Sequence, residues 1–366
     1  MQPYVPEKLP PGRLDWTKLI RLIGQANAEL ARYDGILRGI VNPHVLLSPL
    51  TTQEAVLSSK IEGTQTSLEE VLEYDAVQKA APDRQDDLRE VLNYRRAMNE
   101  AVKYMEHRPV CLDLLKHIHN TLMEDVRGQD RGRGRFRSAQ NWIGRPGSTL
   151  ETAKFVPPDP VAMNEALSKW ERYIHHDEQD RLVQMAMIHA QFEIIHPFSD
   201  GNGRVGRMII PLVLYSYQLL SSPMFYLSEY LEENRETYYD RLHHVTEAGD
   251  WDGWVQFFLA AIVEQARRNS AKAKAILGLY ERMKIQLPGI VATQFSVQTI
   301  DTLFGYPIFR TSEFVARSRI PRATGMRTLR ALRDNGVLQP LRIGGGRRPA
   351  ILMFRELIAI TEGKSL

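Results

Sequence analysis

Residues 182 to 195 are apolar on nearly every face of a helix, and the run stops abruptly at His196-Pro197. A helix without a polar stripe must be buried on all sides, so this stretch predicts the central helix of a core. Pro197 disfavours helical backbone at the residue before it, which sets where that helix ends. A glycine-rich turn, Ser199 to Gly203, follows. A second buried helix is expected through Leu220, kinked at Pro211 because the ring clashes with a carbonyl one turn earlier. Helical spacing of apolar residues recurs across the chain: Trp16 to Leu37, Leu68 to Val77, Asp87 to Tyr104, Leu112 to Met123, from about Ala162, Glu232 to Thr246 and Trp251 to Lys284. A further helix is expected through Ala55, Val56 and Ile61, capped by Thr51 or Thr52 and closed by Gly63. The chain is therefore expected to be mainly α.

Two stretches break the helical pattern. Residues 127 to 160 are rich in Gly, Arg and Pro. Two short β-prone pieces, around Trp142–Ile143 and Phe155–Val156, flank the turn-rich GRPGS segment, which predicts a surface hairpin. Residues 3 to 11 carry four prolines and read as an extended arm.

At 366 residues the chain is too long for one small domain. Its 43% hydrophobic and 25% charged residues are those of a soluble globular protein. One cysteine, Cys111, excludes a disulfide framework and a cysteine-built zinc site, and its apolar setting reads as a small buried hydrophobe. The first residues show no basic stretch followed by an apolar one, which argues against a signal peptide. The most apolar window, Met208 to Leu220, is too short to span a bilayer. A cytoplasmic protein with no membrane contact is expected.

The net charge of +3 implies no polyanionic partner by itself. Its distribution matters more. Between Arg317 and Arg348 lie nine arginines (317, 319, 322, 327, 330, 333, 342, 347 and 348) and one acid, Asp334. The same region reads α-α-α-β-β: a short helix capped by Thr311 or Ser312 and running to Ser318, a second from Arg322 to Asn335 ended by Gly336, then strands at Val337 to Arg342 and Ala350 to Phe354. Gly344, Gly345, Gly346, Arg347 and Arg348 form the tip between the strands. That order is that of a winged helix-turn-helix. Phosphate contacts in a duplex groove and a protein-docking role with a solvated basic face both fit it.

The segment from His196 to Arg207, HPFSDGNGRVGR, carries the chemistry. Gly201 and Gly203 permit close backbone approach. A helix starting near Asn202 offers free N–H groups and a positive dipole end to an anion. Arg204 and Arg207, three apart, share one face of its first turn. Two fixed guanidiniums beside such an end suit a polyphosphate. Asp200 is a carboxylate beside that anion site, which a cation such as Mg²⁺ would join to the phosphates. His196 is the only general base in the loop. Together these point to metal-assisted phosphoryl or nucleotidyl transfer, and no Gly-Lys-Ser/Thr follows as in a P-loop.

The segment resembles the signature of the Fic (Fic/Doc) family, His-Pro-Phe-x-x-Gly-Asn-Gly-Arg-x-x-Arg, at every defined position. Upstream, Gly134-x-Phe136-Arg137 and Asn141-Trp142-Ile143 to Phe155-Val156-Pro157-Pro158 resemble the family's flap hairpin. The resemblance implies a helical Fic core with ATP as donor and Mg²⁺ held by Asp200. His196 would deprotonate a Ser, Thr or Tyr hydroxyl of a target protein, which attacks the α-phosphate. Gly201, Asn202 and Gly203 would form the anion hole; Arg204 and Arg207 would bind the outer phosphates, with Gly206 beside them. Phe198 would anchor the loop, and Phe155 and Val156 of the flap would pair with an extended target segment. Asn234, Tyr238 and Tyr239 lie where the family builds part of the nucleotide pocket.

Ser58-x-x-x-Glu62-Gly63 resembles the family's inhibitory motif, which implies a glutamate paired with Arg207 so that ATP cannot bind productively. The implied organisation is an N-terminal helical region with the inhibitory helix (1–105), a Fic catalytic core (106–268), a linker helix (269–289) and a winged helix-turn-helix domain (290–366). The expected function is a self-inhibited protein adenylyltransferase, with the enzyme itself among its targets. A homodimer is conceivable, because contacts holding the inhibitory helix can be intermolecular. Removal of AMP and transfer of another phosphate-containing group stay open. From another class, a DNA-binding regulator that uses the core as a nucleotide sensor is the alternative; an intact His196 and Asp200 favour the enzyme, because a sensor needs no base. His189 reads as a core or supporting residue, since no third ligand accompanies it as a metal pair with His196. His117, His119, His243 and His244 read as ordinary core histidines, and His175 and His176 as a solvated helix end.

Overall fold

Ser67 and Glu70 show how directly this sequence writes its helices. The Ser67 hydroxyl accepts from the Glu70 N–H and the Glu70 carboxylate accepts from the Ser67 N–H, so two otherwise unpaired donors are satisfied at the start of one helix. The computed structural model describes residues 2–12, 14–40, 42–78, 84–126, 132–144, 147–343 and 349–364. In chain order these form α1 (Trp16–Arg38), α2 (Pro43–Leu46), α3 (Ser48–Ile61), α4 (Leu68–Val77), α5 (Gln85–Met105), α6 (Leu112–Leu122), α7 (Pro160–Ile174), α8 (Arg181–Ile195), α9 (Asn202–Ser216), α10 (Ser228–Glu233), α11 (Arg235–Ala248), α12 (Trp251–Ile290), α13 (Ser296–Gly305), β1 (Ile308–Arg310), α14 (Thr311–Ser318), α15 (Arg322–Asp334), β2 (Gln339–Arg342), β3 (Ile351–Met353) and α16 (Arg355–Glu362). The architecture is mainly helical, with one three-stranded sheet among the described residues. No helix among them is long and apolar enough to cross a membrane.

Two compact units share the chain. One comprises Met1–Asp34, Leu57–Gly63 and Leu92–Arg267; the other comprises Gly35–Val56, Thr64–Val91 and Arg268–Leu366. Helices α1, α3, α5 and α12 contribute residues to both.

In the first unit α8 is the central helix, and all but two of its fifteen residues are buried. Asp180 caps its start by accepting from the N–H groups of Leu182 and Val183, both at 2.9 Å. Two tryptophans clamp its sides: Trp170 of α7 and Trp254 of α12 donate their indole N–H groups to the carbonyls of Ile188 and Ala186, each at 2.8 Å. Helix α9 packs back along α8.

In the second unit the antiparallel sheet has the order β1-β3-β2, with Ile308 opposite Met353 and Arg310 opposite Ile351. Strand side chains alternate between faces. Ile308 and Ile351 pack with Leu68, Leu72, Ala76 and Val77 of α4 and Ile358 of α16. Phe309, on the other face, meets Phe314 of α14 with ring centroids 5.3 Å apart. Pro340 is tolerated because β2 is an edge strand.

Several local expectations are corrected. Thr51 and Thr52 do not cap α3, which starts earlier, at Ser48; the Thr52 hydroxyl donates to the Ser48 carbonyl inside the helix. Thr311 is the first residue of α14, not its cap. Helix α9 stops at Ser216 and not Leu220. The stretch 232–246 divides at Asn234 into α10 and α11. Cys111 is half-buried. The C-terminal order also contains β1 and α16, which short windows did not reveal. Gly344 to Arg348 lie outside the described residues, as do Arg145 and Pro146 of the hairpin tip and residues 127–131.

Candidate active site

His196 occupies the C-cap of α8 in the left-handed region, φ 49°, a conformation costly for a residue with a Cβ. The surroundings that impose it are visible. Arg137, only 5% exposed, donates from Nε to the His196 carbonyl at 3.0 Å, and from its terminal nitrogens to the carbonyls of Ile195, Pro158 and Ala139. Its own N–H donates to Pro197 O at 2.9 Å. Arg137 thus holds both sides of the His196-Pro197 turn. Burial lowers its pKa to about 10, so it stays charged at neutral pH.

The imidazole of His196 lies 3.4 Å through Nδ1 from the Glu193 carbonyl. A proton on Nδ1 directed there leaves the Nε2 lone pair as the basic site. Burial, helped by the Arg137 charge, depresses its pKa to about 4, against the opposing effects of the Glu193 carbonyl, Glu62 and Asp200. The ring is therefore neutral and able to accept a proton throughout the physiological range.

The loop after His196 is tied by its own side chains. Asn202 Oδ1 accepts from the Phe198 N–H and its Nδ2 donates to Phe198 O, both at 2.8 Å. Phe198 is fully buried and its ring stacks on His119 of α6, with centroids 3.9 Å apart and planes at 6°. The Gly134 N–H donates to His119 Nδ1 at 2.9 Å, so the proton sits on Nε2 and is directed to Asp200 O at 3.1 Å. His119 belongs to the support of this loop, a role its helical context in the sequence gave no sign of. Phe198 anchors the loop as expected. The side-chain amide of Asn202 is committed to Phe198, so an anion meets only its backbone N–H.

Gly201 begins α9 with φ 74°, and no side chain caps that end. The first N–H groups of α9 therefore face the loop as anion donors. Arg204 and Arg207 rise from the first turns, 4% and 2% exposed. Asp200 keeps 42% of its side chain accessible, with Oδ1 2.6 Å from the Gly201 N–H and 3.9 Å from Arg204. Among the described residues no three His, Cys, Asp or Glu side chains form a metal site. Mg²⁺ does not need one: it takes one or two carboxylates, keeps waters and completes its shell with substrate phosphates. An accessible carboxylate beside an anion cradle fits that donor set.

A carboxylate already lies in the cradle. Glu62, just past the last turn of α3, places Oε1 2.7 Å from the terminal nitrogen of Arg207. Arg207 also donates from Nε to the Ser58 hydroxyl at 2.9 Å and to the Ser58 carbonyl at 2.7 Å. Gly63, at φ 107°, turns the chain away directly afterward. Burial pushes the Glu62 carboxyl up, but the Arg207 charge and hydrogen bond, with Arg204 and His196, outweigh it and leave its pKa lowered. The same pairing overcomes burial to hold Arg207 well above its ordinary value. Gly203 makes the approach feasible, since a Cβ there would stand 2.2 Å from Glu62 Oε1.

Glu193 was missed. Its Oε1 has no hydrogen-bond partner and would sit 2.1 Å from a Cβ on Gly206, which accounts for glycine at 206. Burial first, then Glu62, raises its pKa to about 8, against the pull of Arg207. Tyr238 is fully buried with its hydroxyl 3.0 Å from His189 Nε2, so His189 is a core residue that supports α11. Tyr239 is 38% exposed and its ring lies 5.1 Å from that of Tyr238. Asn234 turns inward on its own helix end, donating to Tyr230 O at 2.9 Å, and no described contact brings it to the His196 loop. In the flap, Ile143 and Phe155 form a single antiparallel bridge, and Val156 O accepts from the Tyr4 N–H at 2.9 Å.

Two family models match the chain: Fic/DOC family N-terminal over residues 20–103 and Fic/DOC family over residues 109–214. A probable protein adenylyltransferase of Aquifex aeolicus is 34% identical over 85 residues, covering 23% of this chain and 27% of the relative. A protein adenylyltransferase of Caenorhabditis elegans is 25% identical over 167 residues, covering 44% and 29%. The chain thus spans under a third of the length of these curated relatives. In fold it is similar to a Fic family protein from Desulfovibrio desulfuricans, with TM-score 0.61 and 20% identity over 97% of this chain and 98% of the other. It is also similar to Fic-1 from C. elegans, with TM-score 0.51 and 19% identity over 73% and 74%.

Proposed function

We propose, for a chain that carries both Fic/DOC family domains, that it transfers AMP from ATP to a Ser, Thr or Tyr hydroxyl of a protein and that Glu62 restrains it. The observation that carries this reading is one arrangement: a neutral His196 beside a helix N-terminus and two buried arginines, with a carboxylate docked among them. His196 Nε2 takes the proton of the acceptor hydroxyl. The hydroxyl oxygen bonds to the α-phosphorus, and the bond to the bridging oxygen breaks to release pyrophosphate. The backbone N–H groups of Gly201, Asn202 and Gly203 hold the phosphates, and Arg204 and Arg207 hold the outer ones, with Gly206 leaving space beside them. Mg²⁺, held by Asp200 and the phosphates, would neutralise the charge gathering on the leaving group. Tyr238 and Tyr239 border the site, Tyr239 at the accessible side; Asn234 supports them from the start of α11. Phe155 and Val156 belong to a flap whose outer edge, where the Tyr4 N–H now meets Val156 O, is the place an extended target would pair in its stead.

Glu62 restrains this chemistry because it takes the donor of Arg207 that a terminal phosphate needs. Self-modification falls under the same scheme. The α13-β1-α14-α15-β2-β3 order supports a winged helix-turn-helix within residues 290–366, joined through 269–289 to the catalytic residues of 106–268. ATP as donor and a single cysteine fit a cytoplasmic setting.

The test uses the wild type, Glu62→Gly and Glu62→Gly/His196→Ala with Mg²⁺ and ATP labelled at the α-phosphate, alone and in a lysate. Protein labelling that rises with Glu62→Gly and vanishes in the double variant is expected. Binding of ATP without labelling in any of them would overturn the enzymatic reading in favour of a sensor. Labelling unchanged by Glu62→Gly would remove the brake alone.

A further inference from the structure

Helix α15 divides cleanly between a buried and a solvent side. Gly325, Thr328, Leu329 and Leu332 are buried. Arg322, Arg327, Arg330 and Arg333 are exposed. Gly325 sets the close packing on α14: a Cβ there would come within 3.2 Å of Val315. Arg317 and Arg319, just upstream, are exposed as well, and Arg317 lies over the Tyr306 ring at 3.8 Å. The one acid on α15 is Asp334, its last residue, which Arg333 engages at 2.8 Å.

Glu313, in the first turn of α14, is half-buried, and the remaining acids of this unit lie on other elements. Helix α4 carries Glu69, Glu70 and Glu73 and covers the sheet face of Ile308 and Ile351. Helix α14 meets the opposite face through Phe314. Glu73 engages Arg342 of β2 at 3.1 Å, which removes that arginine from the unneutralised set. Like charges three residues apart cost a helix a few tenths of a kcal/mol each, which interspersed glutamates would have relieved.

We propose that the solvent face of α15 binds double-stranded nucleic acid. Thirteen residues make a rod about 20 Å long and 10–12 Å wide, the width of a major groove. Three residues, Arg319 to Pro321, separate α14 from α15, the spacing that lets one helix enter a groove while the other crosses the backbone. The arginines run along the whole helix and its approach, which matches a continuous lattice of phosphates. A protein partner would be expected to find apolar or aromatic anchors. Among the described residues, α14 and α15 expose no large apolar side chain.

The experiment measures binding of the full chain to a labelled duplex of about 30 base pairs at about 50 and 200 mM salt. With about four phosphates neutralised, affinity is expected to fall on the order of 100-fold across that range. Arg327→Ala/Arg330→Ala should lower the slope of log affinity against log salt by about two. Arg21→Ala/Arg172→Ala removes the same charge from exposed positions in α1 and α7 and should leave the slope unchanged. No binding at the lower salt overturns the proposal. Equal effects of the two double variants overturn it in favour of net charge. Equal or tighter binding of polyglutamate overturns it in favour of an acidic protein. None of these outcomes depends on AMP transfer.

Discussion

Arg207 and Arg330 carry the same side chain, and the fold treats them in opposite ways. Arg207 is 1% accessible and makes three hydrogen bonds, one to a carboxylate. Arg330 stands in solvent on the outer face of α15. A buried guanidinium has lost its water, so whatever anion meets it is held strongly and in one geometry. An exposed one keeps its water, and its attraction to an anion is weak, screened by salt and tolerant of geometry. The first arrangement suits discrimination of a single bound phosphate. The second suits a polyanion met along its length.

The largest effect expected from this contrast is on folding. Arg207→Ala leaves Glu62 facing the α9 end without its partner and strips two bonds from Ser58, which should cost about 3 kcal/mol in denaturant unfolding. A cost under about 0.5 kcal/mol would place Arg207 with the surface arginines. Glu62→Gly removes the other partner. It should lower the melting temperature without ATP and enlarge the rise that Mg²⁺-ATP produces, because the ligand then supplies the missing anion.

Glu193 sharpens the contrast from the acidic side. Its folded pKa of about 8 lies above the ordinary carboxyl value. Between the two, the unfolded chain releases a proton that the folded chain keeps, so this group lowers stability as pH rises from about 4.5 to 8. Glu193→Gln keeps the shape without the titration. It should stabilise the protein by about 3 kcal/mol at pH 7 and by almost nothing at pH 4. Equal stabilisation at both values would mean that Glu193 titrates as an exposed carboxyl does.

What could be read beforehand divides along the same line. The HPFSDGNGRVGR segment is local: the end of one helix, a turn and the start of the next supply the base, the anion donors and both arginines within twelve residues. Short-range spacing therefore found them. The long apolar runs found α8, and the helical spacing of apolar residues found α4 to the residue. His119 and Arg137 hold the loop from 77 and 59 residues away; nothing near His119 marks it, and the motif around Arg137 pointed to the flap and not to the His196 turn. Glu193 sits inside the helix that ends at His196, but only packing shows that its carboxyl meets Gly206. The strand β1 has three residues, too few to show a period, and its pairing with β3 crosses forty residues of chain. Thr51 and Thr52 looked like caps because hydroxyls favour that place, yet packing draws the helix start back to Ser48.

His196 lies beside the same cradle as Arg207, but it is half-buried and uncharged. Its pKa of about 4 means that protonation costs it the burial energy, so the free protein should show one imidazole that stays neutral until well below pH 5 by NMR titration. The Glu62 carboxylate favours the protonated ring, so in Glu62→Gly the value should move lower still. A titration near 6.5 would show an open, hydrated ring.

The smallest effect belongs to the exposed arginines. Arg330→Ala removes a solvated charge from a face of like charges and relieves repulsion from Arg327 and Arg333, so unfolding should change by less than about 0.5 kcal/mol. That near-silence in stability is what separates a surface built to meet something outside the chain from one built to hold the chain together. If Arg330→Ala cost as much as Arg207→Ala, its guanidinium would have a partner within the fold, and the division between the two arginine sets would fail at that residue.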